Sequence, residues 1–324
     1  MLPEFSYVRP GSLKDAIEVL TGDGTRAHAG GTDLLGCLHD GAMSASTVVS
    51  LSDLDELRGI RENADGGLAI GTLTTISEVS QSELVTEHYP GLAQAAGEVA
   101  SPQLRNQGTI GGNLCQRPRC WYFRGEFHCA KKGGDVCYAV EGENRYHAIF
   151  GGDPCYIVHP SDTAPMLLAL GASVKIVGPD GGRTVKLDDF FVLPGDELYK
   201  ENVLGSGEIV AEVVLPSPAS GLTSSYRKIR ERGAWDFALV SVALALQMSG
   251  TRVLAGRVVF GGVAPMPWRS EAVEAAIVGK EIGPEMAATA AAAAVAGAQP
   301  LEQNGYKVPL LKAAVAESLL GVVG

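Results

Sequence analysis

Residues 109–162 read TIGGNLCQRPRCWYFRGEFHCAKKGGDVCYAVEGENRYHAIFGGDPCYIVHPSD, and this stretch decides how the rest of the chain is interpreted. It opens on a glycine turn, TIGGN, and closes on HPSD. Five of the six cysteines of the chain lie between these motifs, within 41 residues and with gaps of 4, 8, 7 and 17 residues. They are Cys115, Cys120, Cys129, Cys137 and Cys155. Such crowding is typical of a metal centre or of a disulfide-bonded loop.

The cysteine spacing leaves three kinds of structure open. The gaps match neither the paired CxxC motifs of a zinc ribbon nor the regular repeat of a small bacterial ferredoxin, whereas cysteines scattered over a long loop can hold an iron–sulfur cluster. The N-terminal sequence MLPEFSYVRP has neither the basic nor the apolar segment of a secretory signal, which predicts reduced thiols. We therefore favour an iron–sulfur cluster, with zinc and disulfides as alternatives. The same observation predicts a cytoplasmic location, or a periplasmic one if a partner subunit carries the chain across the membrane.

Composition and charge argue against two other kinds of partner. The net charge of -11 and the dispersed 26 Lys and Arg residues do not suit nucleic acid, which needs clustered basic side chains to neutralise phosphates. No apolar run approaches the ~20 residues that cross a bilayer, so no membrane span is expected. With 324 residues the chain can form two or three subdomains around a substantial core.

Another glycine pair, in GGTDLL at 30–35, follows a predicted strand near the N-terminus. Glycines let backbone amides approach a ligand closely, and a helix that starts at Asp33 would add its positive N-terminal end. Both features suit a phosphate group. The alternative is a plain turn capped by Thr32 or Asp33. The pair is not part of a GxGxxG motif, so a Rossmann dinucleotide fold is not supported.

Hydrophobic periodicity predicts an α+β fold in three parts. Residues 1–55 form a small α/β unit, residues 56–217 an antiparallel unit that carries the cysteine-rich insertion at about 115–157, and residues 218–324 a C-terminal antiparallel sheet with packed helices. In the second unit we predict helices at 76–84, 92–99 and 165–170 and a loop at 101–108. In the third we predict strands at 238–248 and 252–263 and helices at 270–278, 284–298 and 309–320.

Five motifs resemble, in order, those of the FAD-binding medium subunits of the xanthine dehydrogenase/molybdenum hydroxylase family. They are AGGTDLL at 29–35, SPQLRNQGTIGGNLCQRPRC at 101–120, HPSD at 159–162, EIVAEVVLP at 208–216 and YRKIRERGAWDFA at 226–238. The match spans essentially the whole chain. The cysteine-rich insertion resembles that of the branch with periplasmic aldehyde oxidoreductases and 4-hydroxybenzoyl-CoA reductases, which carry an additional [4Fe-4S] cluster.

The resemblance implies that FAD lies extended between the first two units. The first glycine turn would hold the pyrophosphate through main-chain amides, the TIGGN segment would take phosphate and ribitol oxygens, Asp162 would bind toward the adenosine ribose, and Lys228 would lie near the flavin. The implied FAD-binding positions are Ala29, Gly30, Gly31, Thr32, Asp33, Leu34, Ser101, Thr109, Gly112, Asn113, Asp162, Val210 and Lys228. The chain departs from the family pattern at one position. Many relatives place an aromatic residue near the flavin, whereas this chain has small or aliphatic residues around Val99.

Four cysteines are predicted to bind the cluster, namely Cys120, Cys129, Cys137 and Cys155. Cys115 follows the TIGGN segment at once and is expected to be a small buried residue, and Cys37 lies on an apolar helix face, where a free thiol behaves as a small hydrophobe. Four basic residues of the insertion are expected to offset the negative charge of the cluster. They are Arg119, Arg124, Lys131 and Lys132.

These features predict an electron-transfer flavoprotein subunit of a molybdenum-containing aldehyde oxidoreductase, in a heterotrimer. A large molybdopterin-binding subunit and a small [2Fe-2S] subunit would oxidise the substrate, and FAD in this chain would pass the electrons to an acceptor. A β subunit of the 4-hydroxybenzoyl-CoA reductase or xanthine dehydrogenase type is the alternative within the family. A stand-alone flavin oxidase or a zinc-stabilised binding module is the alternative of another class.

Overall fold

A computed structural model describes residues 2–323, in which three sheets organise the chain. The first contains the strands β1 (Ser6–Val8), β2 (Thr25–His28) and β3 (Thr47–Ser50), and the helices α1 (Leu13–Leu20) and α2 (Leu34–His39) connect them. Its strands are parallel, in the order β1-β3-β2. Ser12 caps α1 by accepting a hydrogen bond from the amide of Asp15, and Leu20 of α1 packs with Val49 of β3 in one apolar cluster.

The second sheet has five antiparallel strands. They are β4 (Ile60–Glu62), β5 (Leu68–Gly71), β6 (Ser173–Gly178), β7 (Gly181–Lys186) and β8 (Ile209–Leu215), in the order β4-β5-β8-β6-β7. Between β5 and β6 lie the helices α3 (Ile76–Gln81), α4 (Glu83–His88), α5 (Pro90–Gly97), α6 (Pro102–Gln107), α7 (Ile110–Leu114), α8 (Trp121–Arg124) and α9 (Thr163–Ala169). The long α7–α9 connection is the cysteine-rich insertion.

Three local predictions in this unit are wrong. The expected helix at 76–84 is two helices, because Ser82 has an extended backbone and caps α4. The expected loop at 101–108 contains α6, since Pro102 occupies the first helical turn, where proline is favourable, and does not end the element. The TIGGN segment forms the short helix α7, with Thr109 as its cap. Glycines disfavour helices on their own, so tertiary packing decides this segment.

The third sheet is antiparallel and has four strands. They are β9 (Leu222–Ile229), β10 (Val240–Ser249), β11 (Arg252–Gly261) and β12 (Trp268–Arg269), in the order β12-β11-β10-β9. The helices α10 (Glu271–Ile277), α11 (Pro284–Ala293) and α12 (Lys307–Leu320) pack on it and form a separate apolar core. The sequence did not predict β9. The α+β fold class and its order, a small α/β part followed by two antiparallel sheets, are confirmed.

No helix within residues 2–323 is both long and apolar enough to span a membrane. The six cysteines all lie in this part of the chain and all are free thiols.

Candidate functional site: a glycine-lined groove beside a cysteine cavity

Two clefts join into one continuous groove along the glycine segments. The first cleft, of about 230 Å³, includes Ala29, Leu34 and Val210 in its lining, and the second, of about 320 Å³, includes Asn113 and Asp162. The residues shared by both clefts are Thr32, Asp33, Thr109, Gly112 and Gln116. Ligand pockets are usually roughly 300–1000 Å³, so the joined groove suits a ligand as long as a dinucleotide.

The first glycine turn follows β2 and contacts the end of α6. A Cβ added to Gly30 would lie 2.0 Å from the carbonyl oxygen of Gln107, and the Gln107 side chain donates a hydrogen bond to the carbonyl of Gly30. Gly31 has a φ of +73°, a left-handed conformation that side chains other than glycine rarely adopt. Both glycines are therefore required for the shape of the turn that lines the groove.

The second glycine segment presents one side to the core and the other to the groove. A Cβ on Gly111 would lie 1.6 Å from the hydroxyl oxygen of Thr72, whereas a Cβ on Gly112 would meet only the Thr109 hydroxyl, at 3.1 Å. The amide of Gly112 already donates to that hydroxyl. The donors left for a ligand are therefore the Thr109 hydroxyl proton and the side-chain amide protons of Asn113.

Asn113 also connects the TIGGN and HPSD motifs. Its side-chain oxygen accepts hydrogen bonds from the hydroxyls of Ser161, at 2.5 Å, and Thr163, at 2.7 Å. Ser161, not Asp162, provides the side-chain cap of α9, through the amide of Ala164. Asp162 precedes α9, but its side chain makes no cap hydrogen bond.

Asp162 belongs to a buried polar cluster at the far end of the groove from Val210. Its carboxylate accepts hydrogen bonds from the hydroxyl of Tyr226, at 2.8 Å, and from the ammonium group of Lys228, at 2.7 Å. Burial raises the pKa of Asp162, and the neighbouring ammonium group opposes that shift. The ammonium group also donates to the carbonyl of Glu98. Lys228 therefore acts on the groove through Asp162 and is not part of the lining.

One predicted FAD-binding residue, Ser101, lies outside the lining of both clefts. Its hydroxyl accepts a hydrogen bond from the amide of Leu104 and so caps α6. The remaining predicted residues, apart from Lys228, line the groove.

Asp33 ties the groove to the cysteine-rich insertion. The sequence suggested a cap or a phosphate-binding helix terminus at this position, but the side chain makes no cap hydrogen bond. Its carboxylate accepts from the amide of Arg117, at 2.7 Å, and from the guanidinium of Arg124, at 2.6 Å, and it pairs with Arg119 at 3.0 Å.

The four predicted cluster ligands line one small cavity inside the insertion. This cysteine cavity is bounded by Cys120, Cys129, Cys137 and Cys155, together with aromatic side chains, Lys131 and His147. The thiols of Cys137 and Cys155 form a hydrogen bond with each other. This hydrogen bond lowers the pKa of Cys137 to about 6 and raises the pKa of Cys155. Burial raises the pKa of Cys120 to about 11.

The two remaining cysteines do not line this cavity, but Cys115 is less buried than the sequence predicted. Cys37 is fully buried on α2, in an apolar cluster with Phe123 and Cys129. Cys115 is half-buried, lines the first cleft of the groove and packs against the core of the second unit. Burial of the sulfur raises the pKa of the Cys115 thiol to about 12.

Of the four basic residues expected beside the cysteines, only Lys131 lines their cavity. It is buried and pairs with Glu201 at 2.7 Å. Arg119 and Arg124 are directed to Asp33, and Lys132 donates to the carbonyl of Gly125. These three side chains are thus engaged by carboxylate or carbonyl acceptors and do not line the cysteine cavity.

The sequence did not identify two groups of residues at these sites. His147 lies with its Nε2 3.2 Å from the sulfur of Cys120, and burial lowers its pKa to about 4, so the ring is neutral at pH 7. Trp235 and Phe237, from the β9–β10 connection, line the second cleft together with Val99 and add aromatic surface to the groove. The sequence feature that could have identified Trp235 and Phe237 is a pair of aromatic residues in a charged, glycine-containing connection between two strands.

The comparisons with known proteins agree with this geometry. Residues 3–218 match the FAD binding domain in molybdopterin dehydrogenase, and residues 224–321 match the CO dehydrogenase flavoprotein C-terminal domain. The chain belongs to this family, the FAD-binding subunits of molybdenum hydroxylase-type oxidoreductases.

Individual relatives cover nearly the whole chain. The chain is 36% identical to the aldehyde oxidoreductase FAD-binding subunit PaoB of Escherichia coli (strain K12), over 97% of both chains. It is 30% identical to the glyceraldehyde dehydrogenase medium chain of Sulfolobus acidocaldarius, over 88% of this chain and 84% of that one. The structure of carbon monoxide dehydrogenase from Hydrogenophaga pseudoflava superposes with a TM-score of 0.79 at 29% identity, covering 99% of this chain and 98% of that one.

Proposed function

We propose that this chain binds FAD in the groove and a [4Fe-4S] cluster in the cysteine cavity, and that it transfers electrons as a subunit of a molybdenum-containing aldehyde oxidoreductase. The observation that carries the cluster assignment is the convergence of Cys120, Cys129, Cys137 and Cys155 on one cavity next to the FAD-binding groove. FAD supplies the exchange of two electrons, and the cluster the exchange of one.

In the groove, the chain would hold FAD mainly through its backbone and through neutral donors. The turn from Ala29 to Leu34 would receive the pyrophosphate, Thr109 and Asn113 would donate to phosphate or ribitol oxygens, and Val210 would contact the end of the ligand in the first cleft. Asp162 stands at the other end of the groove. We therefore assign Asp162 and Lys228 to the flavin end, whereas the sequence had suggested that Asp162 binds toward the adenosine ribose.

Two observations favour a cluster over zinc. Within residues 2–323 no three His, Cys, Asp or Glu side chains are grouped closely enough to hold a single metal ion. A zinc ion needs its ligands about 2.0–2.3 Å from one point, whereas the iron atoms of a cluster lie between its four thiolates and separate them. The Lys131 ammonium group, which lines the cavity with the four cysteines, suits a negatively charged cluster.

The proposed substrate class, aldehydes, and the proposed partner chains are both inferred from the relatives. Two relatives of at least 30% identity are named as an aldehyde oxidoreductase subunit and a glyceraldehyde dehydrogenase chain. We propose that a large molybdopterin-binding subunit and a small [2Fe-2S] subunit complete the enzyme, and that the chain divides into FAD-binding units at 1–55 and 56–217 and a C-terminal unit at 218–324.

Analysis of the native complex tests this function. The purified complex should oxidise aldehydes with an artificial acceptor, and this chain, once separated, should contain one FAD, about four irons and about four acid-labile sulfides. A chain with flavin and one zinc would support the zinc-stabilised alternative instead. A complex that oxidises purines but not aldehydes would contradict the assignment of the substrate while leaving the cofactors in place.

A further inference from the structure

The imidazole ring of His147 lies against one of the four cysteines of the cysteine cavity. Its Nε2 is 3.2 Å from the sulfur of Cys120, the two atoms being in hydrogen-bond contact. The residue is only 3% exposed, and its side chain lines the cavity together with the thiols. Four cysteines account for the proposed ligands of the cluster, so this histidine has a different role.

The surroundings of the ring decide which of its nitrogens carries the proton. A neutral imidazole has one N–H, and a buried donor without an acceptor is costly. Within residues 2–323, the buried Nδ1 of His147 has no hydrogen-bond partner. The carbonyl of Asn144 accepts instead from the main-chain amide of His147, at 2.9 Å. The proton therefore belongs on Nε2. A thiolate that binds iron has no proton to donate, so this hydrogen bond runs from Nε2–H to the sulfur of Cys120.

The histidine is held in this position from two sides. Trp121 packs edge-on against the ring, with 5.5 Å between centroids, and Tyr122 lies at 6.1 Å. The main-chain carbonyl of His147 accepts a hydrogen bond from the side-chain amide of Asn304, at 3.1 Å. Asn304 is fully buried and precedes α12. The insertion therefore fixes the ring, and the C-terminal unit fixes the backbone behind it.

A donor on a ligand sulfur affects the two oxidation states of a cluster unequally. Reduction adds one electron, and hydrogen bonds to the sulfurs stabilise the added negative charge. The other polar group described in the cavity lining is the ammonium group of Lys131, whose charge is offset by Glu201 at 2.7 Å. The N–H of His147 is thus a dipole directed at a sulfur ligand.

We propose that His147 raises the reduction potential of the cluster by donating a hydrogen bond from Nε2–H to the sulfur of Cys120. This inference rests on the proposed function, because the cluster belongs to that proposal. His147 is a positioning residue that acts through Cys120 and is not itself an iron ligand. A higher potential favours the transfer of one electron from the reduced flavin to the cluster.

The test uses the full chain loaded with FAD and iron and reduced anaerobically with dithionite. His147→Phe keeps a flat ring and removes the N–H, whereas His147→Gln keeps an N–H donor close to the position of Nε2. His128→Phe is the matched control, because His128 is exposed and adjoins Cys129 but does not line the cavity. Iron content is measured for each protein, and a redox titration followed by electron paramagnetic resonance gives the midpoint potential.

The potential should follow the presence of the N–H donor. At a fixed potential, His147→Phe should retain its iron but hold about tenfold less reduced cluster than the unmodified chain, which corresponds to a midpoint potential about 59 mV lower. His147→Gln should recover most of this difference, and His128→Phe should match the unmodified chain. An unchanged potential in His147→Phe would overturn the proposal, and so would equally lowered potentials in His147→Phe and His147→Gln.

An isotope experiment decides the case in which His147→Phe loses its cluster. When histidine is labelled with a heavy nitrogen isotope, pulsed electron paramagnetic resonance of the reduced unmodified chain should detect one weakly coupled imidazole nitrogen, unchanged in His128→Phe. A strong coupling would identify His147 as an iron ligand, and no coupling would exclude the hydrogen bond. Either result would overturn the proposal. An unmodified chain that holds no iron would refute the proposed function itself.

Discussion

The groove and the cysteine cavity lie side by side but are built in different ways. The groove collects short segments that are far apart in sequence, and backbone geometry at Gly30, Gly31 and Gly112 shapes it. The cysteine cavity is formed by a single stretch, and its chemistry comes from side chains. A substitution in the groove should therefore act by filling space, whereas one in the cysteine cavity should act by removing a ligand. The following variants test this difference.

The largest effect is expected from adjacent glycines of α7. Gly111→Val should prevent folding, because its Cβ would overlap the Thr72 hydroxyl, whereas Gly112→Val should fold and lose FAD, because its side chain extends into the groove. Circular dichroism and the flavin content after purification measure the two outcomes. Full flavin in folded Gly112→Val would show that the ligand does not pass this point. Gly31 is less suitable for this test, since its positive φ would strain any replacement.

Asp162→Ala should destabilise the chain by about 3–5 kcal/mol, because it leaves the Lys228 ammonium group buried without a counter-charge. The double variant Asp162→Ala with Lys228→Met should recover most of that loss. Thermal melts with and without FAD separate the effect of each variant on folding stability from its effect on FAD binding. If the double variant also regains the full stabilisation by FAD, the pair is structural and does not serve the flavin end of the groove.

The sequence predicted those parts of the fold and site that depend on local requirements. The glycine segments, the alternation of the strands and the exclusion of Cys37 and Cys115 all follow from neighbouring residues. The partners of Asp33 and Asp162 could not be predicted, because they come from residues more than 60 positions away. The helix at 110–114 was missed for the same reason, since contact with Thr72 overrides the low helix propensity of glycine.

Asp33→Asn tests whether the two regions function independently. An amide can still accept the hydrogen bond from the backbone of Arg117, but it loses the ion pairs with Arg119 and Arg124. We expect FAD affinity to fall about a hundredfold, and the iron to become more accessible to a chelator, because the turn and the insertion are no longer held together. Isothermal titration and the rate of iron loss to bathophenanthroline measure the two effects.

Asp40→Asn is the matched control for this experiment, since Asp40 contacts Arg124 only at 3.7 Å and is partly exposed. If Asp33→Asn and Asp40→Asn show the same FAD affinity and the same rate of iron loss, the Asp33 ion pairs do not couple the groove to the cysteine cavity.

A pH-dependent effect concerns the attachment of the insertion to the C-terminal unit. Lys307 is fully buried and donates to the carbonyls of Tyr146 and Gly262, and burial lowers its pKa to about 7. The unfolded chain therefore binds this proton more tightly than the folded chain between about pH 7 and the ordinary pKa of 10.5. The free energy of unfolding should rise with pH in this range, by about 1.4 kcal/mol per pH unit relative to Lys307→Met. Urea denaturation of both proteins at several pH values measures this difference, and parallel pH profiles would contradict it.

The central claim is that four particular thiols hold an iron–sulfur cluster beside the FAD-binding groove. Iron and acid-labile sulfide in the single Cys→Ser variants of all six cysteines test it most directly. Cys120, Cys129, Cys137 and Cys155 should each be required for the full content of about four irons, whereas Cys37→Ser and Cys115→Ser should retain both iron and FAD. If all six variants contain the same iron as the unmodified chain, or if Cys115→Ser loses the cluster while Cys120→Ser keeps it, the assignment is contradicted.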